Sequence, residues 1–360
     1  MKNTFGNVIT LTLFGESHGA AVGAVLDGFP AGVTVDEAFM ARRLAFRMGE
    51  EDISTARREK DFPQIVGGVY RGKTCGTPIT FLFPNNDVKS DDYDPLLFVP
   101  RPGHADYTGA VKYAGCNDPR GGGHFSGRLT APIVAAGAMC TQLLARHGIA
   151  IGTHIARIGG VTDDAFTSPE QIPGLTDCPF PVLNAGKEAE MKAAILQAKT
   201  AGDSLGGRLE TMVSGIPAGL GEPFFDTVEG VLSHALFAVP GIKGVEFGDG
   251  FAFCGARGSR VSDGFTVQDG QVKTMANHNG GINGGIANGM PILFSCAVKP
   301  TPSIALPQDS VNLSTGESCV LTVPGRHDPA IVHRACHVVN AVTALVLCDL
   351  LAMKSGTEAL

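Results

Sequence analysis

The chain has 360 residues, 44% hydrophobic and 18% charged, which excludes extended disorder and leaves room for one large or two ordinary globular domains. A formal net charge of −7 argues against a nucleic-acid partner, whose phosphates call for a basic surface. No run approaches the ~18 apolar residues of a membrane span, and Met1-Lys2-Asn3-Thr4 enters a short mixed strand rather than a signal-peptide core, so a soluble protein with no membrane partner is expected.

Residues 7–14 are β-branched and partly alternating, which predicts a strand. The polar knot Phe14-Gly15-Glu16-Ser17-His18-Gly19 follows, then a more buried strand over 20–26 and the turn Asp27-Gly28-Phe29-Pro30-Ala31-Gly32. Thr34 and Glu37 have capping-box spacing, predicting a helix to about Met48 that carries Arg42, Arg43 and Arg47. Strands are predicted over 64–70 and 78–83, and a polar loop from Asn85 leads to Arg101-Pro102-Gly103-His104-Ala105-Asp106. A helix rich in small residues runs from about Thr130 to His147 with Gly148 as its stop. Residues 149–183 read as mixed, 187–200 as a helix, 206–214 as a strand and 329–353 as a long apolar helix.

Landmarks repeat in the same order along the chain. Ser214-Gly215-Ile216-Pro217-Ala218-Gly219 echoes the turn at 27–32, Gly289-Met290-Pro291-Ile292 echoes Gly76-Thr77-Pro78-Ile79, and Pro324-Gly325-Arg326-His327-Asp328 loosely echoes 101–104. We read this as a duplicated unit with pseudo-twofold halves at about 1–150 and 200–354, in which the loops at 101–106 and 324–328 converge and bring His104, Arg326, His327 and Asp328 together.

Arginines concentrate locally despite the acidic balance: Arg42, Arg43, Arg47, Arg57, Arg58 and Lys60 in one region, and Arg101, Arg120, Arg128 and Arg326 each beside Gly, Pro or His. Guanidinium groups grip carboxylate and phosphate in a bidentate manner, so a small anionic substrate fits this pattern, as does a solvated helix face for the first cluster. The 9 cysteines are scattered singly with no C-x-x-C pair, pointing to a reducing, cytoplasmic compartment.

Several motifs match on paper only. Gly67 to Thr74 satisfies the phosphate-loop pattern, but the sequence beyond Thr74 reads as turn and strand where that mechanism needs a helix. His333, Cys336 and His337 share a helical face with metal-compatible spacing, yet nothing nearby completes a ligand set, so no metal is expected. Gly15 to Gly19 matches a serine-hydrolase elbow with Ser17 as nucleophile, but residues 20–28 read as a strand rather than the required helix.

Together, Gly15-Glu16-Ser17-His18-Gly19, Arg101 to Asp106, Gly325-Arg326-His327-Asp328-Pro329, Gly244 to Gly250, Asn277-His278, Gly280-Gly281 and Lys299-Pro300-Thr301 closely resemble the chorismate synthase family, collinearly from about residue 5 to residue 353. The resemblance implies an α+β fold, a β-α-β sandwich with internal pseudo-twofold duplication, assembled as a homotetramer. It implies a lyase that eliminates phosphate from 5-enolpyruvylshikimate 3-phosphate to give chorismate, using reduced FMN in a redox-neutral reaction. NADPH enters only if the enzyme reduces its own flavin.

The family's roles fall here on His18 as proton donor to the reduced flavin, His104 as acid for the departing phosphate and Asp328 as acceptor of the flavin N5 proton. Both histidine roles want a group titrating near neutrality, as unperturbed imidazole does at about 6.5. Substrate contacts map to Ser17, Arg47, Arg101, Arg128 and Arg326. Flavin contacts map to His124, Phe125, Ser126, Pro240, Gly241, Gly284, Gly285, Lys299, Pro300, Thr301, Pro302, Ser303 and Arg326. The chain departs from the family at His124-Phe125-Ser126-Gly127-Arg128-Leu129-Thr130, commonly Arg-Ser-Ser-Ala-Arg-Glu-Thr, at Pro240-Gly241, commonly Asn-Ala, and at Ala45, Phe46 and Asp52, where arginines are common. These departures keep alive a catalytically silent flavin-binding paralogue, and the missing arginines lean towards an external flavin reductant.

Overall fold

The computed structural model describes residues 2–50, 52–54, 62–85, 98–268, 270–323 and 327–360. The first sheet is built from β1 (Thr4–Phe5), β2 (Thr10–Gly15), β3 (Ala21–Asp27), β4 (Gln64–Gly67) and β7 (Ile79–Pro84). Helix α1 (Glu37–Met48) and a small hairpin, β5 (Val69–Tyr70) with β6 (Lys73–Thr74), interrupt it, and α2 (Asp106–Lys112) and α3 (Thr130–Arg146) follow. The second sheet takes β8 (Ala150–Ile158), β9 (Val161–Thr162), β10 (Gly207–Ser214), β11 (Ile242–Phe247) and β16 (Ile292–Val298). Between these lie α4 (Ile172–Thr176), α5 (Ala185–Thr200), α6 (Val228–Leu236) and two hairpins, β12 (Phe265–Gln268) with β13 (Gln271–Thr274) and β14 (Ile282–Asn283) with β15 (Ile286–Ala287). A last hairpin, β17 (Gln308–Val311) with β18 (Ser318–Leu321), precedes α7 (Val332–Ser355).

Both sheets are antiparallel, and they share a strand order: β2-β3-β7-β4 in the first and β8-β10-β16-β11 in the second. A long apolar helix closes each set, α3 and then α7. The repeated glycines sit at matching places. Gly28 (φ 74°) and Gly215 (φ 83°) follow β3 and β10, and a Cβ on either would strike a backbone carbonyl oxygen, of Val8 at 1.9 Å and of Gly148 at 2.2 Å. The second sheet opens with β8, upstream of the residue 200 expected from sequence.

Helices α3 and α7 cross inside the sandwich. The approach is so close that a Cβ on Gly137 would lie 2.3 Å from the Cβ of Ala341, so only glycine permits it. Contrary to the sequence expectation, α7 and the run 120–146 are long and apolar enough to cross a membrane, but the most apolar windows are 94% and 83% buried within the fold. Asp349, fully buried on α7, accepts the backbone N–H groups of Asn7 (2.9 Å), Val8 (2.7 Å) and Ile9 (2.9 Å), tying the entry of β2 to the central helix.

Three further readings shift. Helix α1 is capped by Asp36, whose Oδ1 accepts from Phe39 N at 2.9 Å, because Thr34 is drawn into a β-bridge with Lys73. The predicted strand over 64–70 breaks at Gly68 (φ 84°) into β4 and β5, and the phosphate-loop match is the β5–β6 hairpin. The stretch read as mixed begins with β8, nine residues long. His333 and His337 are core residues: His333 Nε2 bonds Ser54 Oγ at 2.7 Å, His337 Nε2 donates to Pro179 O at 3.0 Å, and burial pushes both imidazoles down to about 3.

Candidate active site

A cavity of about 740 Å³ opens where the N-terminal ends of α3 and α7 meet the C-terminal end of α1. Leu11, Leu13, Ile133, Val338 and Val342 give it an apolar wall, and Arg47, His104, His124, Lys299, Asp328 and Arg334 supply polar groups. The inward alternation of β2 turns Leu11 and Leu13 to this side, with Thr10 and Thr12 opposite.

His104 stands on the loop before α2. Its Nδ1 lies 2.5 Å from Asp106 Oδ1, and Arg101 grips the same carboxylate with Nε at 2.7 Å, Nη2 at 2.8 Å and its backbone N at 3.0 Å. Burial alone would raise the Asp106 carboxyl, but the hydrogen bonds from Arg101 and His104 outweigh it and hold the group well below the usual carboxylate range. The Arg101 Nη1 reaches Ser303 Oγ at 3.2 Å, so this guanidinium is committed to the site's own framework.

Ser17 and His18 occupy the turn between β2 and β3, both buried. The Ser17 Oγ lies 3.2 Å from His18 Nδ1 and within donating distance of the carbonyls of Arg120 (3.3 Å) and Gly121 (3.2 Å). Gly121, Gly122 and Gly123 all have positive φ (58°, 86° and 54°). A Cβ on Gly121 would lie 2.1 Å from His18 Cε1, and one on Gly122 would lie 3.3 Å from His104 Cε1, so this turn threads between the two histidines where no side chain fits. Arg128 Nε reaches Asn85 Oδ1 at 3.3 Å, and Asn85 Nδ2 donates to Glu16 O and Gly19 O, so both brace the His18 turn from behind. His124 Nδ1 donates to Gly15 O at 2.8 Å on the same turn.

Asp328 precedes α7 and accepts from Arg334 Nη1 at 2.5 Å, while Arg334 Nε donates to the carbonyl of Arg47 at 3.0 Å. Arg47 Nη1 in turn donates to Thr130 Oγ1 at 3.0 Å. The cavity therefore brings together, from the residues expected by sequence, Arg47, His104, His124, Phe125, Ser126, Pro240, Gly241, Lys299 to Ser303 and Asp328. Ser17, His18, Arg101 and Arg128 form the layer behind. Gly284 and Gly285 lie apart, in the β14–β15 turn packed on Thr227 at the start of α6. Arg326 lies outside the described residues, and His327 Nε2 donates to Val323 O.

Sequence reasoning passed over Asp106, Asn85 and Arg334. The spacing Arg101-x-x-His104-x-Asp106 was a usable signal for an oriented imidazole. Arg334 stood out as a guanidinium in an otherwise apolar helix, where an unpaired charge is costly. Nothing local marked Asn85.

A family model described as chorismate synthase matches residues 9–352. The chain is 46% identical over 344 residues to a chorismate synthase of Pyrococcus abyssi, with 96% of each chain covered. Identity to the chorismate synthase of Thermococcus kodakarensis is 43% over 355 residues (98% of each chain), and to that of Dehalococcoides mccartyi 45% over 359 residues (99% of this chain, 98% of the other). A solved structure, "Crystal Structure of Chorismate Synthase", superposes with a TM-score of 0.76 at 30% identity, covering 98% of this chain and 94% of that one. The chain belongs to the chorismate synthase family.

Proposed function

We propose that the chain eliminates phosphate from 5-enolpyruvylshikimate 3-phosphate to give chorismate, with reduced FMN held in the cavity of about 740 Å³. The observation that carries this reading is the convergence of the His104–Asp106 pair, the Asp328–Arg334 pair and the cations Arg47 and Lys299 on one part-apolar cavity. Its size and apolar wall suit a planar ring system, and its cations suit a substrate carrying two carboxylates and a phosphate. The residues fit a flavin: Thr301 Oγ1 is buried with no hydrogen-bond partner among the described residues, a group a bound cofactor would satisfy. Gly241 (φ 93°) keeps backbone at the wall where a Cβ would strike Ile331 Cδ1 at 2.8 Å.

When bound, the flavin supplies transient electron donation that no side chain offers. His104 gives its proton to the departing phosphate oxygen; His18 would hold the proton destined for the reduced flavin, and Asp328 would be the acceptor for its N5 proton. Arg47 and Lys299 bind the anionic groups, with Arg326 and Arg128 assigned to the same task from sequence. Ser17 acts through the position of the His18 ring. As a hydrolase nucleophile it is disfavoured, since it is fully buried with its hydroxyl turned to backbone carbonyls.

The test is FMN titration by fluorescence, followed by anaerobic turnover. Binding without phosphate release in the reduced state would favour the silent paralogue and defeat the enzyme reading. An NADPH-plus-FMN assay without other reductant decides whether the chain reduces its own flavin; we assign that job to an external reductant. We further propose a cytoplasmic homotetramer. All nine cysteines are free thiols. The outer face of the first sheet carries Thr12, Phe14, Val25, Thr80 and Leu82, an uncharged patch suited to self-association. Light scattering that finds a monomer at micromolar concentration would refute the assembly.

A further inference from the structure

We propose that Asp106 is a positioning residue for the elimination: its carboxylate accepts the Nδ1–H of His104, turning the ring so that Nε2 presents the proton to the departing phosphate, while Arg101 holds the carboxylate in place. This rests on the reading of His104 as the acid. Two groups crowd Nδ1, Asp106 Oδ1 at 2.5 Å and Arg101 Nη2 at 3.0 Å, and a single ring nitrogen cannot both donate and accept. Arg101 only donates. If Nδ1 kept its lone pair for Arg101, that lone pair would face a carboxylate oxygen at the shorter distance. The Asp106 carboxyl is held ionised by its partners and has no proton to offer, so Nδ1 carries the hydrogen.

The geometry at the other nitrogen completes the case. The Nε2 edge of the ring faces Gly122, where a Cβ would lie 3.4 Å from Nε2, and among the described residues nothing hydrogen-bonds Nε2. Side-chain exposure falls from 18% for His104 to 12% for Asp106 and 9% for Arg101, so the ring fronts the cavity with the carboxylate and guanidinium behind it. In the step itself the Nε2–H bond breaks and an O–H bond forms on the phosphate oxygen as its bond to the ring carbon cleaves. The N–H electron pair stays on Nε2. The imidazole is left neutral with Nδ1–H still on Asp106, the form ready to be reprotonated.

The experiment is a double-mutant cycle with a spectroscopic control. Phosphate release is measured anaerobically with reduced FMN for wild type, Asp106→Asn, His104→Ala and the double variant. Asp106→Asn is expected to lower kcat by ~10²-fold with KM within about twofold of wild type, and to cost nothing further on the His104→Ala background. An unchanged kcat, a loss confined to KM, or an equal loss without His104 overturns the proposal. Independently, histidine-selective 15N NMR of the ligand-free wild type should show a protonated Nδ1 for His104, and an unprotonated Nδ1 overturns the proposal whether or not the variant folds. A wild type that releases no phosphate yet shows protonated Nδ1 sinks the functional reading and leaves the orientation intact.

Discussion

Replacing Gly121 with alanine probes the contact that sets His18. The added Cβ would lie 2.1 Å from His18 Cε1, 2.3 Å from Nδ1 and 3.0 Å from Ser17 Oγ, far inside van der Waals separation, so the imidazole has to move by roughly 1 Å. Misplacement on that scale costs on the order of 10²-fold in turnover. The backbone adds its own penalty, since φ at Gly121 is 58° and an L-residue there costs about 1–2 kcal/mol. Gly72→Ala separates the two effects: its φ is 73° with nothing within 4 Å of the new Cβ, so it carries the backbone cost alone. Thermal melts and phosphate release on both variants give the comparison. We predict destabilisation in both, larger in Gly121→Ala because the clash adds to the backbone cost, with turnover lost only in Gly121→Ala. Wild-type turnover in Gly121→Ala would refute the packing argument.

Asp349→Asn removes one of two carboxylate oxygens that hold three backbone amides, that of Ile9 buried, and should cost about 2–3 kcal/mol, read as a lower urea midpoint; an unchanged midpoint refutes the anchor. Arg334→Met should lower turnover by at least ~10-fold by removing one hold on the Asp328 carboxylate, with Arg334→Lys restoring only part, because an ammonium cannot reach both Asp328 and the Arg47 carbonyl; full rescue by lysine contradicts the fork. His154 is buried between Asp163 (2.9 Å) and Glu210 (3.0 Å). Burial lowers the His154 imidazole, but its hydrogen bonds to the two carboxylates outweigh this and raise it, while both carboxyls are lowered. The raised imidazole contributes stability that is fully present below about pH 6.5 and lost as pH rises through its folded value; the carboxylates contribute above about pH 4 and lose it as pH falls further. Urea midpoints against pH should therefore decline on the alkaline side, and in Glu210→Gln that decline should be smaller and end at lower pH; an unmoved limb rules out the linkage.

What the sequence made legible was local or periodic. The partial alternation of β2, the glycine stop of α3 and the paired glycines after β3 and β10 each obey a backbone rule that acts within a few residues, and those pairs pointed to the duplication without any strand order. What stayed hidden depends on partners far along the chain. Thr34 looked like a cap until its bridge to Lys73 moved the helix start to Asp36. His18 is fixed by a glycine 103 residues away, as the Ser17 Oγ contact with Arg120 O at the same separation reflects. His104 and Asp106 were adjacent on paper, but which nitrogen faces the carboxylate is a matter of ring orientation. Counted as consecutive apolar residues, α7 falls short of a membrane span, while its mean hydropathy over the helix reaches one, and its burial within the fold marks it as core.

The central claim is that one cavity couples reduced flavin to loss of phosphate. Incubating the protein anaerobically with 5-enolpyruvylshikimate 3-phosphate and chemically reduced FMN, and following chorismate, inorganic phosphate and the flavin spectrum together, tests it most directly. The account predicts chorismate and phosphate in equal amounts with the flavin still reduced at the end. Absence of phosphate release, or equal release with oxidised FMN, would contradict it.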